Sequence, residues 1–87
     1  MKVKQFEGRN GTVKNQFILE TNKGTFFQSY DSIIAAKLNN GVVHLDAKYW
    51  DYSTTTGKYR NLFLGEDKKQ TEKKIKAGIY KLTNLNS

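Results

Sequence analysis

Eighty-seven residues without a cysteine suit one domain rather than two, and they exclude a disulfide framework, thiolate metal sites and cysteine nucleophiles. Five Phe, five Tyr and one Trp argue against disorder, because each can bury a large apolar area. The net charge of +7 is uneven: residues 1–57 hold seven Lys/Arg against five Asp/Glu, while residues 58–87 hold eight against three. A C-terminal third this basic points to a polyanionic partner or to lysines that keep a small protein dissolved. No stretch approaches the ~20 apolar residues a bilayer span needs, and no apolar run follows Met1-Lys2-Val3-Lys4, so a cytoplasmic location is expected.

The first half is cut by turn signals: Asn10-Gly11, Asn22-Lys23-Gly24 and Asn39-Asn40-Gly41. With no proline in the chain, turns must come from Gly, Asn and Asp. Between them lie runs rich in β-branched and aromatic residues at 3–6, 12–21, 25–30, 32–38 and 42–46, with the spacing of an antiparallel meander. In the second run, Val13, Asn15, Phe17, Leu19 and Thr21 share one face, and Lys14, Gln16, Ile18 and Glu20 the other. Ile33-Ile34-Ala35-Ala36 fits a buried strand or one helical turn. Residues 49–65 admit a hairpin turning at 54–57 or a helix from 53 to 64 stopped by Gly65. The helix carries Gly57 inside it at a cost of about 1 kcal/mol relative to alanine. Asp67 then fits an N-cap, with Gln70 completing a capping box, for a helix over 68–77 followed by Gly78. Glu72 and Lys76 are spaced as an i,i+4 pair. Residues 79–83 read as a last strand and 84–87 as a fraying end.

Little in the sequence points to catalysis. Thr56-Gly57-Lys58 hints at a phosphate loop, but Tyr52 stands where the motif needs its first glycine, and Tyr59 where it needs Ser or Thr. His44 is the only histidine; with Asp46 on the same face it could pair, yet a structural strand histidine is the commoner outcome. No cofactor motif and no metal-ligand spacing stand out, so neither a cofactor nor a metal is expected. The strongest constellation is basic. Lys69, Lys73 and Lys76 occupy one arc of the helix over 68–77, and Lys58, Arg60 and Tyr52 precede it. Lysines over phosphates with tyrosines for stacking form a common single-strand recipe, whereas charge runs are often only solvated faces.

Three segments carry a resemblance. Phe27-Gln28-Ser29-Tyr30-Asp31-Ser32-Ile33-Ile34-Ala35, then Tyr49-Trp50-Asp51-Tyr52-Ser53-Thr54-Thr55-Thr56-Gly57-Lys58-Tyr59-Arg60-Asn61-Leu62-Phe63-Leu64-Gly65, and finally Thr71-Glu72-Lys73-Lys74-Ile75-Lys76-Ala77-Gly78-Ile79-Tyr80 together resemble a family of small, functionally uncharacterised bacteriophage proteins. The resemblance implies no catalytic residue. It favours a helix start at Ser53, and so a helix over 53–64. It also implies the functions common among small basic phage proteins: binding DNA, or blocking a host machine that handles it, such as a CRISPR nuclease.

The expected fold is α+β: an antiparallel sheet of about five strands with one or two short helices on one face. The expected core is Phe17, Leu19, Phe26, Ile34, Val43, Leu45, Trp50, Tyr59, Phe63, Ile75 and Leu82. The expected function is non-enzymatic binding of nucleic acid through Lys58, Arg60, Lys69, Lys73, Lys76 and Tyr52. The alternative is an inhibitor of a host protein that handles nucleic acid, and a small hydrolase or nuclease stands last.

Overall fold

The computed structural model describes residues 1–8 and 11–86. Alternating apolar runs become strands wherever a short turn lets neighbours pair. Thus β1 (Lys2–Gly8), β2 (Gly11–Glu20), β3 (Gly24–Ser29), β4 (Ser32–Leu38) and β5 (Val43–Asp46) form an antiparallel meander. Two helices follow, α1 (Thr54–Leu64) and α2 (Lys68–Lys76). The chain then returns as β6 (Tyr80–Thr83), which lies parallel to β5 and completes a six-stranded sheet in sequence order. The sheet has one strand more than expected, and its last pair is parallel because the two-helix connection carries the chain back to the same end of β5. Asn10 of the expected first turn and Ser87 of the expected fraying end lie outside the described residues.

Close approach rather than local preference fixes the glycine of the β2–β3 turn. A Cβ on Gly24 would stand 2.3 Å from the Lys37 carbonyl oxygen on β4. In α1, Ser53 caps the N-terminus by accepting the Thr56 N–H (3.1 Å), and Gly65 ends the helix at φ 71 with its N–H on the Asn61 carbonyl (2.8 Å). These two caps decide the helix over the hairpin. In α2 the Asp67 carboxylate accepts the Gln70 N–H (2.8 Å), and the Gln70 side chain accepts the Asp67 N–H (3.0 Å), the capping box expected from sequence.

Both helices contribute to a core on one face of the sheet. Phe27, Ile34, Ala35, Leu45, Phe63 and Tyr80 are buried together, and Phe6, Ile18, Val43, Trp50, Tyr59 and Ile75 pack around them. The rings of Phe27 and Phe63 lie 5.8 Å apart, and Phe6 meets Phe27 edge-on at 5.3 Å. Phe17, Leu19 and Phe26 of the expected core lie on the opposite face. There Val3, Leu19, Phe26, Ala36, His44 and Lys81 pair in register across all six strands. Period-two alternation says which residues share a face, not which face is covered. Here the covered face of β2 carries Gln16 and Ile18. Leu82 is also displaced from the expected core, 44% exposed on edge strand β6.

The face assignment has a direct check. Phe27→Ala is expected to cost about 3–5 kcal/mol in urea unfolding, the range for emptying a buried aromatic, whereas Phe26→Ala, its neighbour on the uncovered face, costs far less. A second outcome concerns Gly57, buried within α1. The nearest atoms to an added Cβ there belong to the Arg60 guanidinium, at 3.6 Å and beyond, an ordinary contact. Gly57→Ala is therefore expected to raise stability by about 1 kcal/mol through helix propensity, read as a higher thermal midpoint.

Candidate functional site

Of the side chains singled out by sequence, Tyr52, Lys58 and Arg60 gather around the loop between β5 and α1, whereas Lys69, Lys73 and Lys76 stand apart on α2. Asp46 anchors the start of that loop: its carboxylate accepts N–H groups from Lys48 (3.0 Å), Tyr49 (2.8 Å) and Leu85 (2.8 Å). Burial pushes this carboxyl's pKa up, but the hydrogen bonds together outweigh it and hold the group below its ordinary value. Asp46 is thereby committed to the loop, and the sheet carries His44 on the uncovered face beside Ala36 and Lys81. Among the described residues, no three His, Cys, Asp or Glu side chains converge as metal ligands would.

The end of the loop is held by Arg60, only 1% exposed. Its Nη1 donates to the Trp50 carbonyl (2.8 Å) and to the Asp51 carboxylate (3.1 Å), and its Nη2 donates to the Asn61 side chain (2.9 Å). The guanidinium lies 5.1 Å from the centroid of the Trp50 ring. Asp51 also receives Lys68 Nζ at 2.7 Å. Burial raises the Asp51 pKa, but the bonds and charges of Lys68 and Arg60 carry it below the ordinary aspartate value. Arg60, expected to face a partner, instead ties the loop to α1.

A cleft opens on each side of this loop. One, of about 640 Å³, runs past Asp51, Ser53, Lys58, Leu62 and Lys68. The other, of about 390 Å³, lies between the β3–β4 turn and the start of α1, with Tyr30, Tyr49 and Tyr52 on its walls. Tyr52 is 69% exposed, and its ring leans edge-on against Tyr49 at 5.6 Å. Tyr30, 53% exposed, faces it from the turn. Sequence reasoning passed over Tyr30 because Tyr30-Asp31 lacks the Gly or Asn that marks a two-residue turn; the available signal was only the break between two apolar runs.

Among the described residues the ion pairs are Lys4–Glu20, Arg60–Asp51, Lys68–Asp51 and Lys74–Glu66. The i,i+4 pair expected between Glu72 and Lys76 does not close. Lys58, Lys69, Lys73 and Lys76 are exposed and unpaired, so α2 presents the expected lysine arc to solvent. Lys74 turns inward instead. Its Nζ lies 2.6 Å from Glu66, whose carboxylate also accepts the hydroxyls of Thr71 and Tyr80. Burial pushes the Glu66 pKa up, yet the bonds from Lys74, Thr71 and Tyr80 together hold it below the ordinary glutamate value.

The architecture is thus a six-stranded α+β sheet with two helices on one face and a basic, tyrosine-bearing rim. By sequence the chain belongs to a family of unknown function, DUF8033, whose model matches residues 1–78. No curated protein and no solved structure matches the chain. Among the described residues, no helix is long and apolar enough to cross a membrane.

The lowered carboxyls give a signed pH dependence. Asp46, Asp51 and Glu66 are held below their ordinary values, so they contribute stability above the ordinary carboxylate range and lose it as pH falls through the lowered folded values. Urea unfolding is expected to show stability falling between about pH 5 and pH 2. Glu66→Gln should lower stability at pH 7 and flatten that fall.

Proposed function

We propose that the chain is a non-enzymatic binding module for single-stranded nucleic acid, a reading in keeping with its resemblance to small phage proteins and with a phage origin. The observation that carries it is the fate of the basic residues after position 57. Arg60, Lys68 and Lys74 are neutralised by internal carboxylates, whereas Lys58, Lys69, Lys73 and Lys76 stand unpaired in solvent. Exposed Tyr52 and Tyr30 stand beside the same loop. Unpaired lysines attract phosphates by counterion release, and exposed tyrosines offer stacking surfaces for unpaired bases.

A second reading, an inhibitor that blocks a host protein handling nucleic acid, is favoured by the uncovered sheet face. Its row of exposed Val3 and half-buried Leu19 and Phe26 is apolar and carries no helix, as part of a protein-binding patch would be.

Titration of single- and double-stranded oligonucleotides at two salt concentrations separates the two. Contact with three to four phosphates predicts a log–log salt slope of about −2 to −3 on single strands, at about −0.7 per phosphate. Lys69→Glu with Lys73→Glu is expected to flatten the slope and leave the thermal midpoint unchanged, since both side chains face solvent. Sequence preference through these lysines is expected to be slight, because an ammonium is a point charge. No binding at low salt to either form overturns the nucleic-acid reading and leaves the inhibitor reading in front.

A further inference from the structure

The β3–β4 turn is built against the local preference of its residues. Tyr30 sits at φ 55, a backbone conformation that ordinarily selects glycine and that a bulky side chain adopts rarely. The surrounding structure enforces it. The Tyr30 N–H donates to the Asn15 carbonyl (2.7 Å), and the Tyr30 carbonyl accepts Gln28 Nε2 (2.7 Å). Asn15 is itself left-handed at φ 65, which asparagine tolerates better. The ring gained by this arrangement is 53% exposed and contributes little to the core. Strain that is held in place without serving packing points to a ligand.

The cleft beside Tyr30 has a polar, buried floor. Ser29 Oγ and Thr56 Oγ1 lie 3.0 Å apart, and the Ser53 hydroxyl donates to Thr56 Oγ1 at 3.2 Å. With Thr56 Oγ1 already accepting from Ser53, the Thr56 hydroxyl can donate to Ser29, an arrangement in which the Ser29 O–H is available to a ligand. Gln16, the register partner of Ser29 on the same face, is 1% exposed with neither amide atom partnered. A buried polar group left unsatisfied calls for an explanation, and this one is paired across the strands with Ser29, whose hydroxyl lines the cleft. Asp31, next to Tyr30, adds an acceptor at the mouth.

We propose that the cleft between the β3–β4 turn and the start of α1 is a nucleobase pocket, in which Tyr30 and Tyr52 stack one base while Ser29, Thr56 and Asp31 read its edge. The proposal rests on the nucleic-acid reading and deepens it. The cleft, about 390 Å³, falls at the small end of the range for small-ligand sites. The loop 49–53 separates it from the second cleft, where Lys58 and Lys68 stand. A strand with one base in the tyrosine cleft would pass its phosphates over the loop toward Lys58, the unpaired lysine of that second cleft, and away from Asp31. A carboxylate accepts and does not donate, so Asp31 favours bases with an exocyclic amino group, above all cytosine, over thymine.

The test compares short labelled strands of equal length by fluorescence anisotropy: oligo-dC, oligo-dT and an abasic backbone, with CMP as a free mononucleotide. The expected order is dC above dT above abasic, with the abasic strand weaker by about tenfold or more, the effect of one stacked base. Tyr30→Gly and Tyr52→Ala should each erase that difference while leaving the salt slope intact. Tyr30→Gly should also hold or raise the thermal midpoint, since glycine adopts this conformation without strain. That result separates a ligand contact from a structural role. Equal affinity for base-bearing and abasic strands, or Tyr variants that bind like the parent, overturns the pocket and leaves the phosphate reading standing. Saturable CMP binding lost in Tyr30→Gly, without any strand binding, supports the pocket and overturns the strand reading. Binding of none of these probes overturns both.

Discussion

The buried guanidinium of Arg60 is the constraint on which the surface of this protein depends. It takes a charge out of water and surrounds it with the Trp50 carbonyl, the Asp51 carboxylate, the Asn61 amide oxygen and the Trp50 ring. Burying such a group is costly unless its donors are met, and here the two Nη groups of the planar fork are met at fixed angles while Nε is left without a partner. The consequence is a loop, 49–53, that cannot swing freely. Both clefts are defined by that loop, and Tyr52 projects from it. Lysine at position 60 would supply a charge without the fork and would leave the Trp50 carbonyl and Asn61 unevenly bridged.

A division of labour among the positive charges follows. Of those after position 57, three are spent on holding elements together: Arg60 and Lys68 on Asp51, Lys74 on Glu66. The remainder on the helices face water without partners. The same composition could have produced a surface of closed ion pairs, but Glu72 lies beside its lysines without engaging them. An arc of open ammonium groups raises the local potential and the rate of encounter with a polyanion.

What the sequence made legible was local. The capping box of Asp67 and Gln70 acts within three residues, and the Ser53 and Gly65 caps within one turn of their helix, so residue identity was sufficient. Strand positions were readable for the same reason. The side of the sheet that the helices cover was not, because it is settled by which face Phe63 finds, and Phe63 lies far along the chain from Phe27. Alternation in β2 is also ambiguous: Phe17 and Leu19 look more apolar than Gln16 and Ile18, yet the latter pair is covered. The burial of Arg60 was hidden because arginine is almost never fully buried unless paired, and the pairing partners belong to a loop whose shape arginine itself creates. Of the candidate site, the lysine arc and Tyr52 were legible from helical periodicity and position. Tyr30 was not, since a turn without glycine or asparagine shows in sequence only as a break between two apolar runs, which does not reveal the backbone conformation that exposes the ring.

The parallel docking of β6 beside β5 also orders events in time. β1 to β5 pair with sequence neighbours through short turns, so their contacts close small loops and form readily. β6 can join only after everything from Ala47 to Ile79 has been folded back across the sheet, which places its pairing with Val43 to Asp46 among the most non-local events in the chain. Until then β5 is an open edge with unpaired backbone groups, and Leu45 and Ala35 lack their cover from the helices. A chain in which the last third had not docked would therefore present a strand edge. The net positive charge of the last third would set such chains against one another by repulsion.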